Sequence, residues 1–85
     1  VAKYRAIVNV MLKPSILDPQ GRAVEATLRR LGHENLADVR IGKHIELTLS
    51  GERAEVERQL GEIASKVFAN PVMETVVTRL EPLDE

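Results

Sequence analysis

The chain has 85 residues, no cysteine, one Tyr and one Phe as its only aromatics, and twelve Lys plus Arg against thirteen Asp plus Glu, for a formal charge of −1. This length predicts one domain over residues 1–85; disulfides, thiolate metal sites and thiol nucleophiles are excluded, and a near-zero charge with so few aromatics speaks against nucleic acid as a partner. No apolar run reaches the roughly 18–20 residues of a membrane span and the N-terminus has no secretory apolar region, so a soluble cytoplasmic protein is expected.

From Tyr4 to Leu12 the residues Tyr4, Ala6, Val8, Val10 and Leu12 recur with period two, which predicts a strand with one face toward the helices. The other face reads Arg5, Ile7, Asn9, Met11 and is half apolar. Asp18-Pro19 supplies an N-cap followed by proline at the first helical position, and a helix over 19–31 is expected. Its stripe is Val24, Leu28 and Leu31, with Arg29 and Arg30 suited to the negative end of the dipole and Gly32 closing it. Gly21 in the first turn costs helix propensity, which points either to a closely approaching backbone or to simple tolerance.

Val39 and Ile41, then Ile45, Leu47 and Leu49, alternate around Gly42-Lys43-His44 and predict a hairpin. A three-residue loop with a bulge pairs Ile41 with Ile45 and keeps one apolar face, whereas a two-residue loop splits the apolar residues between faces. Ser50-Gly51 offers an N-cap for a second amphipathic helix with Val56, Leu60, Ile63 and Val67 inward, and Asn70-Pro71 ends it with Asn in the left-handed position. A last strand over about Val72–Leu80 has Val72, Val76 and Leu80 on one face and Met73 and Val77 on the other.

The order strand, helix, strand, strand, helix, strand predicts an α+β, ferredoxin-like βαββαβ fold: four antiparallel strands with both helices on one face. A domain this small buries only about 60–65% of its unfolded surface, so association is favoured. The bare sheet face, with Ile7 and Met11 from the first strand and, depending on register, Met73 and Val77 or Val72 and Val76 from the last, is the expected interface of a homodimer or homotetramer.

Reaction chemistry is sparse. His33 and His44 lack metal-pair spacing, and there is no nucleophile elbow, zinc helix or phosphate loop. Glu52, Glu55, Glu57 and Glu62 read as the solvated face of a helix. No catalytic residue, metal ligand or cofactor is assigned to this chain. A ligand-sensing regulatory module remains the main alternative, since fold alone does not fix function. An RNA-binding domain lacks its stacking aromatics, and an acylphosphatase-like hydrolase lacks its Gly-rich turn after the first strand.

Leu12-Lys13-Pro14 running into Leu17-Asp18-Pro19-Gln20-Gly21, then Leu31-Gly32, Val39-Arg40-Ile41-Gly42-Lys43 with Ile45-Glu46-Leu47, and Leu60 through Ala69-Asn70-Pro71-Val72-Met73-Glu74, resemble the S subunits of phosphoribosylformylglycinamidine synthase. The resemblance covers almost the whole chain and departs from the expected aliphatic pair at Phe68-Ala69. It implies a role in purine biosynthesis beside two partners: a glutaminase that holds the cysteine nucleophile and releases ammonia, and a synthetase that binds ATP and magnesium. The complex converts formylglycinamide ribonucleotide to formylglycinamidine ribonucleotide at the expense of ATP and glutamine, and the small subunit bridges the other two and supports ammonia transfer.

Residues 1–43 carry eight basic and four acidic side chains and residues 44–85 four basic and nine acidic, so halves of +4 and −5 lie beneath the small net charge. Such polarity suits a bridge between unlike surfaces, although one acidic helix accounts for it equally well. The loop residues expected to touch partners are Asp18, Gln20, Gly21, Gly42, Lys43, Asn70 and Pro71.

Overall fold

In the computed structural model of the protein, residues 1–83 are described. They form β1 (Lys3–Leu12), α1 (Pro19–Arg30), β2 (Lys43–Ser50), α2 (Arg53–Ile63) continued by a π turn (Ala64–Phe68), and β3 (Glu74–Pro82). The sheet is antiparallel with order β2-β1-β3. Val8 lies opposite Ile45 on one side and Thr78 on the other, and Val10 opposite Lys43 and Val76.

The period-two pattern of β1 is realised in the core. Ala6, Val8 and Val10 are buried beneath Leu60 and Ala64, and Ile45, Leu47, Leu49, Phe68, Ala69, Val76 and Leu80 pack around them. Full burial of each valine contributes about 1.5–3 kcal/mol. At the far end of this face, the Arg53 guanidinium stands 5.6 Å above the Tyr4 ring.

The sheet has three strands and not the four expected of a ferredoxin-like fold, because Val39–Ile41 does not form a strand and no hairpin precedes β2. The physical reason lies in α1. The Val39 and Ile41 N–H groups, which a ladder would need, donate instead to the carboxylates of Glu25 (3.4 Å) and Asp18 (2.8 Å). Alternation across two strand-like residues is outweighed by charge-assisted bonds to side chains distant in sequence.

The helices do not share a sheet face either. α2 and the π turn cover the core and lean toward β3, while α1 contributes no side chain to that core. The molecule measures 52 × 30 × 15 Å with a radius of gyration of 16.8 Å, where a compact chain of this length has about 12 Å. Residues 13–42 thus form an arm beyond the end of the sheet.

Helix ends follow local chemistry with some corrections. Asp18 caps α1, Pro19 opens it, and Gly32 follows it at φ 101°. Glu52 is the first residue of α2's entry and makes no side-chain cap, so the Ser50-Gly51 cap is not used; Gly51 instead serves at φ 139° and donates to the Ala2 carbonyl (2.9 Å). At the other end the π turn holds the helical phase back, so the buried stripe runs Val56, Leu60, Ala64, Phe68, and Val67 points outward at 72% exposure. Asn70 is not left-handed; its Oδ1 accepts from the Val72 N–H (3.0 Å), an Asx-type turn.

Candidate functional site

Asp18 is the hub of the arm. Its Oδ1 accepts from the Gly21 N–H (2.9 Å) and its Oδ2 from the Ile41 N–H (2.8 Å), so one carboxylate caps α1 and anchors the returning loop. The Gly21 N–H, the Ile41 N–H and the nearby Arg40 charge hold its carboxyl below the ordinary aspartate value, against the opposing effect of burial.

Glycine is required at two points beside it. A Cβ on Gly21 would collide with the Val39 carbonyl, and one on Gly42 with the Val10 carbonyl and the Met11 sulfur. Of the two readings of Gly21, the close backbone approach is the one realised. These contacts press residues 39–42 against the start of α1 and the end of β1, where Arg40 also donates to the Leu12 carbonyl.

The second half of the site is joined through Lys43. Its Nζ donates to the Phe68 carbonyl (3.2 Å) at the end of the π turn and lies 3.8 Å from Glu74. Glu74 in turn accepts from the Asn70 N–H (2.7 Å). A cleft of about 250 Å³ opens between the two halves, lined by Val10, Leu12, Gln20, Gly42, Lys43 and Glu74. Asp18, Gln20, Gly21, Gly42 and Lys43 are therefore gathered at one end of the sheet, with Asn70 linked to them through Glu74 and Pro71 exposed beside it.

Glu25, Ile41 and Glu74 belong to this network but are not among the sequence-derived candidates. Glu25 carried a usable signal, its i,i+4 spacing to Arg29, which it meets at 3.4 Å. Ile41 enters through its backbone N–H, and Glu74 through a carboxylate that meets the Asn70 N–H and Lys43, pairings that side-chain patterning does not reveal.

The opposite sheet face is mixed. Register places Val77 beside Asn9 and Thr75 beside Met11, which settles Val77 and not Val76 on this side. Ile7 is 6% exposed between Glu46 and Arg79, Met11 is half-buried against Gly42, and Met73 and Val77 are exposed. His44 lies here with Nδ1 2.7 Å from Asn9 Oδ1 and Nε2 2.8 Å from Glu46, and this bond holds the Glu46 carboxyl below its ordinary value. His33 sits beyond α1, its N–H donating to the Leu28 carbonyl (3.0 Å). Among the described residues, no group of three or more His, Asp or Glu is placed to hold a metal, and no helix is long and apolar enough to cross a membrane.

Fold and cleft define a small α+β protein whose distinctive chemistry is the interlocking of loops, with carboxylates and glycines committed to holding backbone. The profile of the PurS family, described as phosphoribosylformylglycinamidine (FGAM) synthase, matches residues 5–82. A PurS subunit of that synthase from Mycobacterium leprae is 47% identical over 70 residues, covering 82% of this chain and 86% of the relative. The crystal structure of Methanocaldococcus jannaschii PurS, one of the subunits of formylglycinamide ribonucleotide amidotransferase in the purine biosynthetic pathway, superposes with a TM-score of 0.84 at 30% identity, covering 95% of this chain and 99% of that one. A chain in the structure of PurLQS from Thermotoga maritima shares the fold, with a TM-score of 0.85 at 22% identity over 94% of this chain and 99% of its own. The chain belongs to the PurS family and is a subunit of FGAM synthase, the enzyme of purine biosynthesis.

Proposed function

We propose that this chain is the structural subunit that joins the glutaminase and synthetase subunits of the synthase in the cytoplasm and supports passage of ammonia between them. ATP and magnesium belong to the synthetase and the reactive cysteine to the glutaminase; neither function is asked of this chain. The observation that carries the reading is the end-of-sheet network in which Asp18, Gly21, Gly42 and Lys43 fix three loop segments against one another. A surface that orders unlike partners gains from loops fixed in advance, and these are tied to one another by charge-assisted bonds. The three-subunit composition named for the Thermotoga maritima assembly fits the same division of labour.

The exposed Gln20, Asn70 and Pro71 are the contact residues of this surface, with Asp18, Gly21, Gly42 and Lys43 shaping it. On the opposite face, Met73 and Val77 are the exposed members of the proposed self-association surface, with Ile7 and Met11 beneath them. Reconstitution tests the function: adding the chain to purified glutaminase and synthetase should switch on glutamine-dependent amidine formation, with ammonia-dependent formation by the synthetase far less affected. Full glutamine-dependent turnover in its absence overturns the proposal.

A further inference from the structure

The segment that joins the π turn to β3 is a closely bonded turn. The Asn70 carbonyl accepts from the Met73 N–H (3.1 Å) and the Glu74 N–H (2.8 Å), and the Met73 carbonyl accepts from the Lys13 N–H (2.8 Å) just past β1. Asn70 Oδ1 accepts from the Val72 N–H (3.0 Å). Pro71 stands at the second position of this turn, where its fixed φ is already suitable.

Glu74 closes the turn from the other side. Its carboxylate accepts from the Asn70 N–H (2.7 Å) while its own N–H donates to the Asn70 carbonyl, so the two residues bond reciprocally. The Glu74 side chain is only 20% exposed, and its charge is met by Lys43 Nζ at 3.8 Å, which also caps the end of the π turn through the Phe68 carbonyl (3.2 Å).

What the turn presents to solvent is apolar. The Asn70 amide oxygen is used inward, which leaves the Pro71 ring and the Val72 side chain, 76% exposed, at the tip. Turn tips are ordinarily Gly, Asn, Asp or Ser. A valine there adds nothing to the chain's own core and keeps apolar area in water. With the backbone fixed and both side chains poor in rotamers, such a tip loses little freedom on docking.

We propose that Pro71 and Val72 form a preformed apolar tip that seats in an apolar pocket of another subunit of the synthase, and that Glu74 is the residue that positions it. The inference rests on the bridging role and names the chemistry of one of its contacts. Gln20 and Gly42 lie across the cleft from Glu74, so the tip continues the surface assigned to the partner subunits, and its occupant is one of them and not a second copy of this chain.

Two variants separate lost contact from lost shape. In the chain alone, Glu74→Ala should speed amide exchange at residues 70–74 by about tenfold or more while β1 stays protected, and Glu74→Gln, whose amide oxygen still accepts, should restore most of the protection. Val72→Asp should leave that exchange as it is. In the reconstituted three-subunit synthase, Glu74→Ala and Val72→Asp should each raise the chain concentration that gives half-maximal glutamine-dependent activity by about tenfold or more, with Glu74→Gln near the parent. Unaltered exchange in Glu74→Ala, an unchanged half-maximal concentration for Val72→Asp, or a changed molecular mass of the chain alone in Val72→Asp overturns the proposal. The bridging role itself fails only if turnover with glutamine is full when the chain is left out, so the two failures are distinct.

Discussion

The body of the molecule and its arm are held together by different physics. In the body, β1 runs between two partners and its apolar face is sealed by α2, so stability comes from area removed from water. In the arm, α1 and residues 33–42 share almost no apolar burial; carboxylates and an arginine bonded to backbone groups hold them instead. Polar bonds thus hold the arm where apolar burial does not, and glycine at 21 and 42 admits the close backbone approaches they need.

Three experiments test this contrast. The largest effect is expected in the body: Val8→Ala removes two methyl groups from a fully buried site and should lower global stability by about 2–3 kcal/mol in urea unfolding, with every probe moving together. Gly21→Ala comes next and should be confined to the arm. Its Cβ meets the Val39 carbonyl, so amide exchange in α1 and residues 39–42 should accelerate by about tenfold or more while β1 stays protected; equal loss in both regions would show that arm and body unfold as one unit. The smallest is a pH effect. Asp18 has a folded-state pKa below its unfolded value near 3.8, so its contribution is complete above that value and is lost as pH falls through the folded pKa. Exchange protection in α1 should therefore fall on acidification below about pH 4 in the parent protein, and Asp18→Asn should flatten that dependence.

Sequence pattern describes well what is decided locally, in the body and the arm alike. The β1 alternation, the Asp18 cap, the Arg29-Arg30 end of α1 and the inward Val56 and Leu60 all depend on neighbours within a few residues, and all are found. Val39–Ile41 departs from its alternating pattern because its deciding bonds come from residues 14 and 23 positions away. The π turn leaves no periodic mark in the sequence, and it turns Val67 outward while Phe68 takes the core position that the α-helical period assigns to Val67. The site was legible as a set of loop residues but not as a network, since Lys43 reaches Phe68 and Asn70 through groups that sequence alone does not bring together.

The Asp18 carboxylate also has a bearing on selectivity. The first turn of a helix attracts phosphate because its free N–H groups and dipole converge on one point. Here the head of α1 is filled by an anion of the chain's own, shared with the Ile41 N–H, so the dipole that would draw a phosphate is spent on anchoring a loop.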